Sequence, residues 1–174
     1  MKFFDLAADR HSVRSYTRRP VEREKMERVL SAAALAPTAK NLQPFRLHVM
    51  PVEGHEDDFK RVYRGDFLRE APLVILASVY PETGWKRRDG KLYADVDGAI
   101  MFDHLVLAAW DEGLRCCWIA AFDPQAVREI FHLEAGEEPL VMSPFGYAGE
   151  GDVPRPKIRK GWKEFTVFHD GYPA

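Results

Sequence analysis

Residues 73–79 have the sequence LVILASV, and this stretch decides the architecture. A nearly continuous apolar run of this length predicts a β-strand that is covered on both faces. Upstream, Phe45, Leu47 and Val49 alternate with the residues between them, as in a strand with one buried face. We therefore expect a sheet that is sandwiched between helices.

Two helices are predicted beside this sheet. Residues 21–36 place apolar side chains on one helical face and charged ones opposite, and Pro37 ends the pattern. Residues 95–112 are apolar almost all round, and Gly113 follows as a helix stop. A helix of this second kind is buried, either in the core or under a partner subunit.

The second half of the chain continues the alternation of strands and helices. We predict a strand over 116–122 and another over 140–147. Between them, Asp123–Pro124 begins a helix that ends near His132. An apolar alternation over 165–169 also fits a terminal strand. This order of elements indicates an α+β or an α/β sandwich.

The composition is that of one ordinary globular domain, which we expect to span residues 1–174. The chain is 46% hydrophobic and 30% charged, has a net charge of −2, and contains no internal repeat or linker. These values exclude disordered and disulfide-rich classes and argue against a general nucleic-acid binder. Charges interrupt the amino-terminal stretch too soon for a secretion signal, and no apolar run could span a membrane, so we expect a cytoplasmic protein.

Several common chemistries lack their sequence signals. Neither glycine-rich phosphate loop, GxGxxG or GxxxxGK(S/T), occurs, and the hydrolase signal GxSxG is absent. The histidines show no metal-ligand spacing, so no metal is expected. Cys116 and Cys117 are adjacent, which disfavours a disulfide or a redox pair, and we interpret them as reduced core thiols.

Two basic tracts without acidic residues occur in this slightly acidic chain. They contain Arg10, Arg14, Arg18 and Arg19 in the first tract, and Arg155, Lys157, Arg159, Lys160 and Lys163 in the second. Guanidinium groups bind phosphate oxygens two at a time, so two or three of these side chains converging would hold one phosphate. The alternative interpretation is two solvated runs of surface charge.

Four segments resemble, in the same order, the motifs of the nitroreductase family. They are Arg10–Tyr16 (RHSVRSY), Ala36–Phe45 (APTAKNLQPF), Gly113–Asp123 (GLRCCWIAAFD), and Phe145–Tyr147 followed by Pro156–Lys160 (PKIRK). Together they extend over almost the whole chain. The resemblance implies an α+β fold, a three-layer sandwich whose central, mostly antiparallel sheet is flanked by helices. It also implies an intertwined homodimer with FMN at the subunit interface.

The resemblance further implies which residues bind FMN. The phosphate and ribityl chain would be held by Arg10, His11, Ser12, Arg14, Lys157 and Arg159. The isoalloxazine ring would be lined, from the partner subunit, by Pro37, Thr38, Ala39, Asn41 and Gln43. The backbone N–H of Ala120, with Ala121 beside it, would face flavin N5, and no side chain is expected to act as a catalyst.

The sequence departs from the family pattern at a few positions. Arg115, Cys116 and Ala120 stand where many relatives have smaller residues, which puts the packing near the ring in doubt. The chain is also short for the family, so we interpret residues 80–93, with an aromatic residue and three cations at 85–88, as a small lid. The alternative for that stretch is a solvated surface loop.

The activity implied by the resemblance is that of an NAD(P)H-dependent FMN oxidoreductase. Hydride would pass from NADH or NADPH through flavin N5 to a small electron-poor acceptor, by a ping-pong mechanism. Nitroaromatics, quinones and activated alkenes are acceptors of this kind. A second hypothesis is an FMN carrier or sensor without efficient turnover. A third, a nucleic-acid binder with a basic patch, predicts colourless protein and strongly salt-dependent binding.

Overall fold

The computed structural model of the chain describes residues 2–169. The strands within this range are β1 (Phe45–Pro51), β2 (Leu73–Val79), β3 (Arg115–Cys116) and β4 (Glu138–Gly146). The α-helices are α1 (Phe3–Asp9), α2 (Arg23–Ala33), α3 (Glu56–Val62), α4 (Phe67–Glu70), α5 (Ala94–Asp111) and α6 (Pro124–Ile130). Short 3-10 helices cover Ala39–Asn41, Pro81–Thr83 and Trp162–Glu164.

The four strands form one antiparallel sheet in the order β1-β2-β4-β3. β2 is central, and its Ile75 lies opposite Val49 of β1 and Ser143 of β4. All residues of β2 after Leu73 are buried, as the apolar run predicts. Because every pairing is antiparallel, the fold is α+β, and the α/β alternative is wrong.

Helices cover both faces of the sheet. Successive side chains of a strand point to opposite faces. Accordingly, Ile75 and Ala77 pack in one apolar cluster with residues of α2 and α5. Val74 and Leu76 pack in a second cluster with residues of α3 and α6. The prediction of a three-layer sandwich is confirmed.

Helix α5 lies against the sheet at close range. A Cβ atom on Gly98 would come within 2.7 Å of the side chains of Leu140 and Val79, so only glycine allows this approach. The helix ends before Gly113, which has a φ of +77° that favours glycine. The prediction of a buried helix over 95–112 is confirmed to within one residue at each end.

Two predicted strands are wrong. The strand expected over 116–122 is only two residues long as β3, because the Cys117 N–H donates to the Ser143 hydroxyl at 2.9 Å instead of to a strand carbonyl. Pairing resumes only as an isolated bridge between Ile119 and Met142. Residues 165–169 form no strand with any residue in 2–169, and their apolar side chains are exposed.

A smaller apolar cluster supports the amino-terminal segment. It contains Leu6, Val13, Tyr16, Ala71 and Trp110. This cluster fixes the first basic tract on the end of α5 and α1, and so positions the site described below. No helix in the described part of the chain is long and apolar enough to cross a membrane.

Candidate functional site

The two basic tracts meet at a cavity of about 630 Å³. Its lining consists of Arg10, His11, Ser12, Arg14, Gly151, Asp152, Val153, Arg155, Pro156, Lys157 and Arg159. The six residues predicted to hold a phosphate and its ribityl chain are all in this set. A cavity of this size is in the range that holds small-molecule ligands and cofactors.

The amino-terminal wall of the cavity is an extended segment held by buried Val13. The Val13 N–H donates to the Cys116 carbonyl at 3.2 Å, and the Tyr16 hydroxyl donates to the Val13 carbonyl at 3.0 Å. Side chains alternate along extended backbone. With Val13 directed into the core, its neighbours Ser12 and Arg14 are directed to the cavity.

The opposite wall is the segment 149–159, which we call the carboxyl-terminal arm. It begins against the first tract, where the Gly149 N–H donates to the Ser15 carbonyl at 2.8 Å. A Cβ atom on Gly149 would lie 2.5 Å from the Ser15 hydroxyl, so this contact requires glycine. Further along, the Lys157 ammonium donates to the Ala7 carbonyl at 2.9 Å and to the Ala8 carbonyl, at the carboxyl end of α1.

The arginine and lysine side chains of the cavity have no carboxylate partner in the described part of the chain. Among residues 2–169, the five Arg and Lys side chains that line it make no ion pair with a carboxylate, whereas Arg46 and Arg61 elsewhere pair with carboxylates at 2.7 and 2.6 Å. Partial burial, together with repulsion from Arg10 and Arg159, lowers the pKa of the Lys157 ammonium. Five cations held this close together, with the acid Asp152 of the same lining engaged by His11, could hold an anion.

His11 lines the cavity, but both of its ring nitrogens are engaged by protein acceptors. Nε2 lies 2.9 Å from a carboxylate oxygen of Asp152, and Nδ1 lies 3.2 Å from the Asp9 carbonyl. The imidazole also contacts the Trp110 ring edge-on, at a centroid distance of 4.9 Å. No sequence pattern marks Asp152, because it is a single acid before a basic tract and its partner lies 141 positions away.

The third motif contacts the first motif beside the cavity. Burial raises the pKa of the Cys117 thiol, and nearby Arg14 and a hydrogen bond with Ser12 oppose the increase. Ala120 and Ala121 are exposed just beyond the bridge between Ile119 and Met142. Within residues 2–169 the Ala120 N–H has no hydrogen-bond partner, so this donor is open to a ligand.

The second motif lies apart from this cavity in the same chain. None of its residues is in the cavity lining. Lys40, Asn41 and Gln43 have φ angles of 54°, 56° and 49°, in the left-handed region that costs energy for residues other than glycine. The buried Asp97 holds this loop, because its carboxylate accepts the Ala39 N–H at 2.9 Å.

The segment expected to form a lid is an ordered hairpin. Lys86 pairs with Leu92, and Arg87 is bound to the Asp89 carboxylate and to the Tyr93 hydroxyl. At the start of the hairpin, Gly84 packs closely against Ala94, where a Cβ atom on Gly84 would lie 3.0 Å from the Ala94 Cβ. No residue of this hairpin lines the cavity.

The unusual residues of the third motif are structural. The Arg115 guanidinium stacks on the Trp110 ring at 3.9 Å. Cys116 is a free thiol, and burial raises its pKa to about 12, as expected for a core residue. Neither side chain lines the cavity. In the described part of the chain, no group of three or more His, Cys, Asp or Glu residues could hold a metal ion.

These features define an α+β sandwich with a cation-lined cavity between residues 10–14 and 151–159. The model of the nitroreductase family matches residues 7–63 and 51–147. The chain therefore belongs to the nitroreductase family.

Comparison with individual proteins agrees with this assignment. A nitroreductase family protein from Clostridium difficile has a TM-score of 0.86 and 34% identity, over 97% of this chain and 98% of its own. A Staphylococcus epidermidis protein named NADPH-dependent oxidoreductase is 25% identical, over 98% of this chain and 74% of its own length. An oxidoreductase containing FMN shares the fold, with a TM-score of 0.72 at 18% identity over 83% of this chain and 76% of its own.

Proposed function

We propose that this chain is an NAD(P)H-dependent oxidoreductase, formed by one domain, that binds FMN through the cavity between its basic tracts. The observation that carries the proposal is the convergence on one cavity of five cations, from near both ends of the chain, that make no ion pair with a carboxylate among residues 2–169. A phosphomonoester, with a charge of about −1.5 to −2, supplies the anion that they lack. The names of the Staphylococcus relative and of other relatives, among them NADH dehydrogenase and NAD(P)H nitroreductase, support the redox role.

The residues of the chain divide into those that hold the phosphate and those that hold the ring. Arg10, Ser12, Arg14, Lys157 and Arg159 bind the phosphate and ribityl chain, with His11 behind them. The loop with Pro37, Thr38, Ala39, Asn41 and Gln43 serves the ring of the partner subunit. When bound, FMN supplies the redox chemistry, in which hydride from NADH or NADPH arrives at N5 and leaves to the acceptor.

The backbone near Ala120 has a defined task in this proposal. Its free N–H donates a hydrogen bond at flavin N5, with Ala121 beside it, and a donor at that position favours the reduced state. No second nucleotide-binding motif occurs in the sequence, so donor and acceptor use the same site in turn. Binding of donor and acceptor in turn at one site is a ping-pong mechanism. It suits small electron-poor acceptors such as nitroaromatics, quinones and activated alkenes.

The absorbance spectrum of the purified protein tests this function directly. We expect yellow protein with a flavin spectrum that is bleached by NADH or NADPH without oxygen and restored by a quinone or nitroaromatic. A carrier or sensor would be yellow but would not be bleached on the timescale of turnover. Colourless protein that fails to take up added FMN would refute the proposal and would favour the solvated-charge interpretation. The cytoplasmic location and the lack of a nucleic-acid partner stay predictions.

We further propose that the chain is a homodimer, because helix α5 keeps an apolar groove on its outer face. Val96, Ala99 and Ile100 line this groove, with Asp95, Asp103 and His104 at its edges. A long helix with apolar residues on this face as well as on its core face is typical of a subunit interface.

Light scattering should give about twice the mass of one chain. The substitution Ile100→Asp should shift the protein towards monomer, whereas Asp103→Asn should not, and a wild-type monomer at micromolar concentration would contradict the proposal.

A further inference from the structure

Beyond its start at Gly149, the carboxyl-terminal arm makes two contacts across the cavity. At one end, Asp152 is joined to His11, and at the other, Lys157 binds the last turn of α1. Between them lies Arg155, between two prolines that fix the backbone in an extended form. The positions of Arg155 and Arg159 relative to the first tract therefore depend on these two contacts.

His11 joins the arm to the first tract. Its Nε2 lies 2.9 Å from a carboxylate oxygen of Asp152, and its Nδ1 lies 3.2 Å from the Asp9 carbonyl. The ring also packs edge-on against Trp110. The charged groups that line the cavity with His11 and Asp152 are Arg10, Arg14, Arg155, Lys157 and Arg159.

Asp152 is unexpected in a site for a phosphate. It is the one acidic residue that lines the cavity in the described part of the chain. If Asp152 acted on the ligand only through its charge, it would repel a phosphate, and its removal would strengthen binding. Its side chain is also mostly shielded from solvent, with an exposed fraction of 11%, so solvent screens this charge poorly.

We propose that Asp152 is a positioning residue for the bound flavin phosphate, and that it acts through His11. The contact of its carboxylate with His11 ties the arm to the first tract, which places the arm cations over the phosphate. This inference rests on the proposed function and adds a residue that none of the family motifs contains. It predicts that loss of the Asp152 carboxylate weakens FMN binding, whereas charge repulsion alone predicts stronger binding.

The dissociation rate of FMN from the holoprotein tests whether loss of Asp152 weakens or strengthens FMN binding. We expect Asp152→Asn to increase the rate about tenfold, the effect of losing one charge-assisted contact. Glu150→Gln is the matched control, because Glu150 is an exposed acid two residues earlier in the same arm and does not line the cavity. It should leave the rate unchanged. An unchanged or slower rate in Asp152→Asn would overturn the inference.

A double-mutant cycle with His11→Gln tests whether Asp152 acts through His11. We expect Asp152→Asn to have little further effect in the His11→Gln background, because the pair is already lost. Additive effects of the two substitutions would show that the pathway through His11 is wrong.

Tryptic cleavage of the FMN-free protein provides a readout that does not need the cofactor. Lys157, Arg159 and Lys160 are cleavage sites within or next to the arm. Asp152→Asn should increase the rate of cleavage there, and Glu150→Gln should not. Equal rates in all three proteins would refute the positioning role. Failure of the wild-type protein to bind FMN would instead refute the proposed function, so the two failures are distinguishable.

Discussion

Arg14→Ala and Arg159→Ala should each weaken FMN binding by about 10- to 100-fold, the effect of removing charge-assisted hydrogen bonds to a phosphate. These two arginines come from opposite walls of the cavity. Within residues 2–169, each guanidinium donates a hydrogen bond only to a nearby backbone carbonyl. Neither side chain is part of the core, so both variants should fold normally. Titration of the FMN-free protein with FMN, followed by flavin fluorescence, measures the affinities.

The chain provides a matched control for this prediction. Lys160 is adjacent to Arg159 in the same basic tract, is exposed, and does not line the cavity. Lys160→Ala should change the FMN affinity by less than about threefold, since it removes only a distant screened charge. If Lys160→Ala and Arg159→Ala weaken binding equally, the tract acts as a general positive surface and the assignment of individual ligands is wrong.

Glu137→Gln should lower the free energy of unfolding by about 3 kcal/mol near neutral pH. Glu137 is fully buried immediately before β4, where its carboxylate accepts hydrogen bonds from His48 at 2.6 Å and from Ser78. Burial raises the pKa of this carboxyl, but the hydrogen bonds from Ser78, His48 and the Glu134 backbone lower it further, to about 2. Glu137→Gln removes the negative charge but leaves the buried donors of His48 and Ser78 in place, so they lose the carboxylate that they bind.

The lowered pKa of Glu137 also predicts how the stability of the fold changes at acidic pH. Because the pKa of Glu137 is lower in the folded chain than its ordinary value of 4.5, its stabilisation is complete above that value and is lost as the pH falls towards about 2. Thermal unfolding at fixed protein and FMN concentrations should show a decrease of roughly 6 to 12 °C for Glu137→Gln at pH 7. The difference from wild type should shrink between about pH 5 and 2.

Glu134→Gln is the control for the buried carboxylate. Glu134 pairs with Arg46 at 2.7 Å, but its side chain is 61% exposed, and ion pairs of that kind contribute little to stability. It should lower the melting temperature much less than Glu137→Gln does. Equal stability of Glu137→Gln and wild type across this pH range would contradict the role assigned to Glu137.

The parts of the fold that could be predicted are those with long, strong patterns. β2 and α5 are buried on nearly all sides, so their apolar runs are sufficient to locate them. The helix after Asp123 was also predictable, because the Asp123 carboxylate accepts the N–H groups of Gln125 and Ala126. Helices α1, α3 and α4 have seven residues or fewer, so their patterns are too short to recognise.

The candidate site was predictable where charge density or a family motif marked it. The convergence of residues 10–14 with Lys157 and Arg159 followed from both signals, and the structure brings them together. The contribution of Asp152 could not be predicted, because it depends on a single contact between distant positions. The error over 116–122 has a similar cause, since the Ser143 hydroxyl that interrupts the strand belongs to another element.

The distance in sequence between the two walls of the cavity has a consequence for biosynthesis. His11 leaves the ribosome long before Asp152, its partner 141 positions later, has been translated. Among residues 2–169, all four strands end by Gly146, so no strand pairing requires the second wall of the cavity. A chain cut after Gly146 would keep the sequence of its whole sheet but would lack that wall, so it could not retain the cofactor.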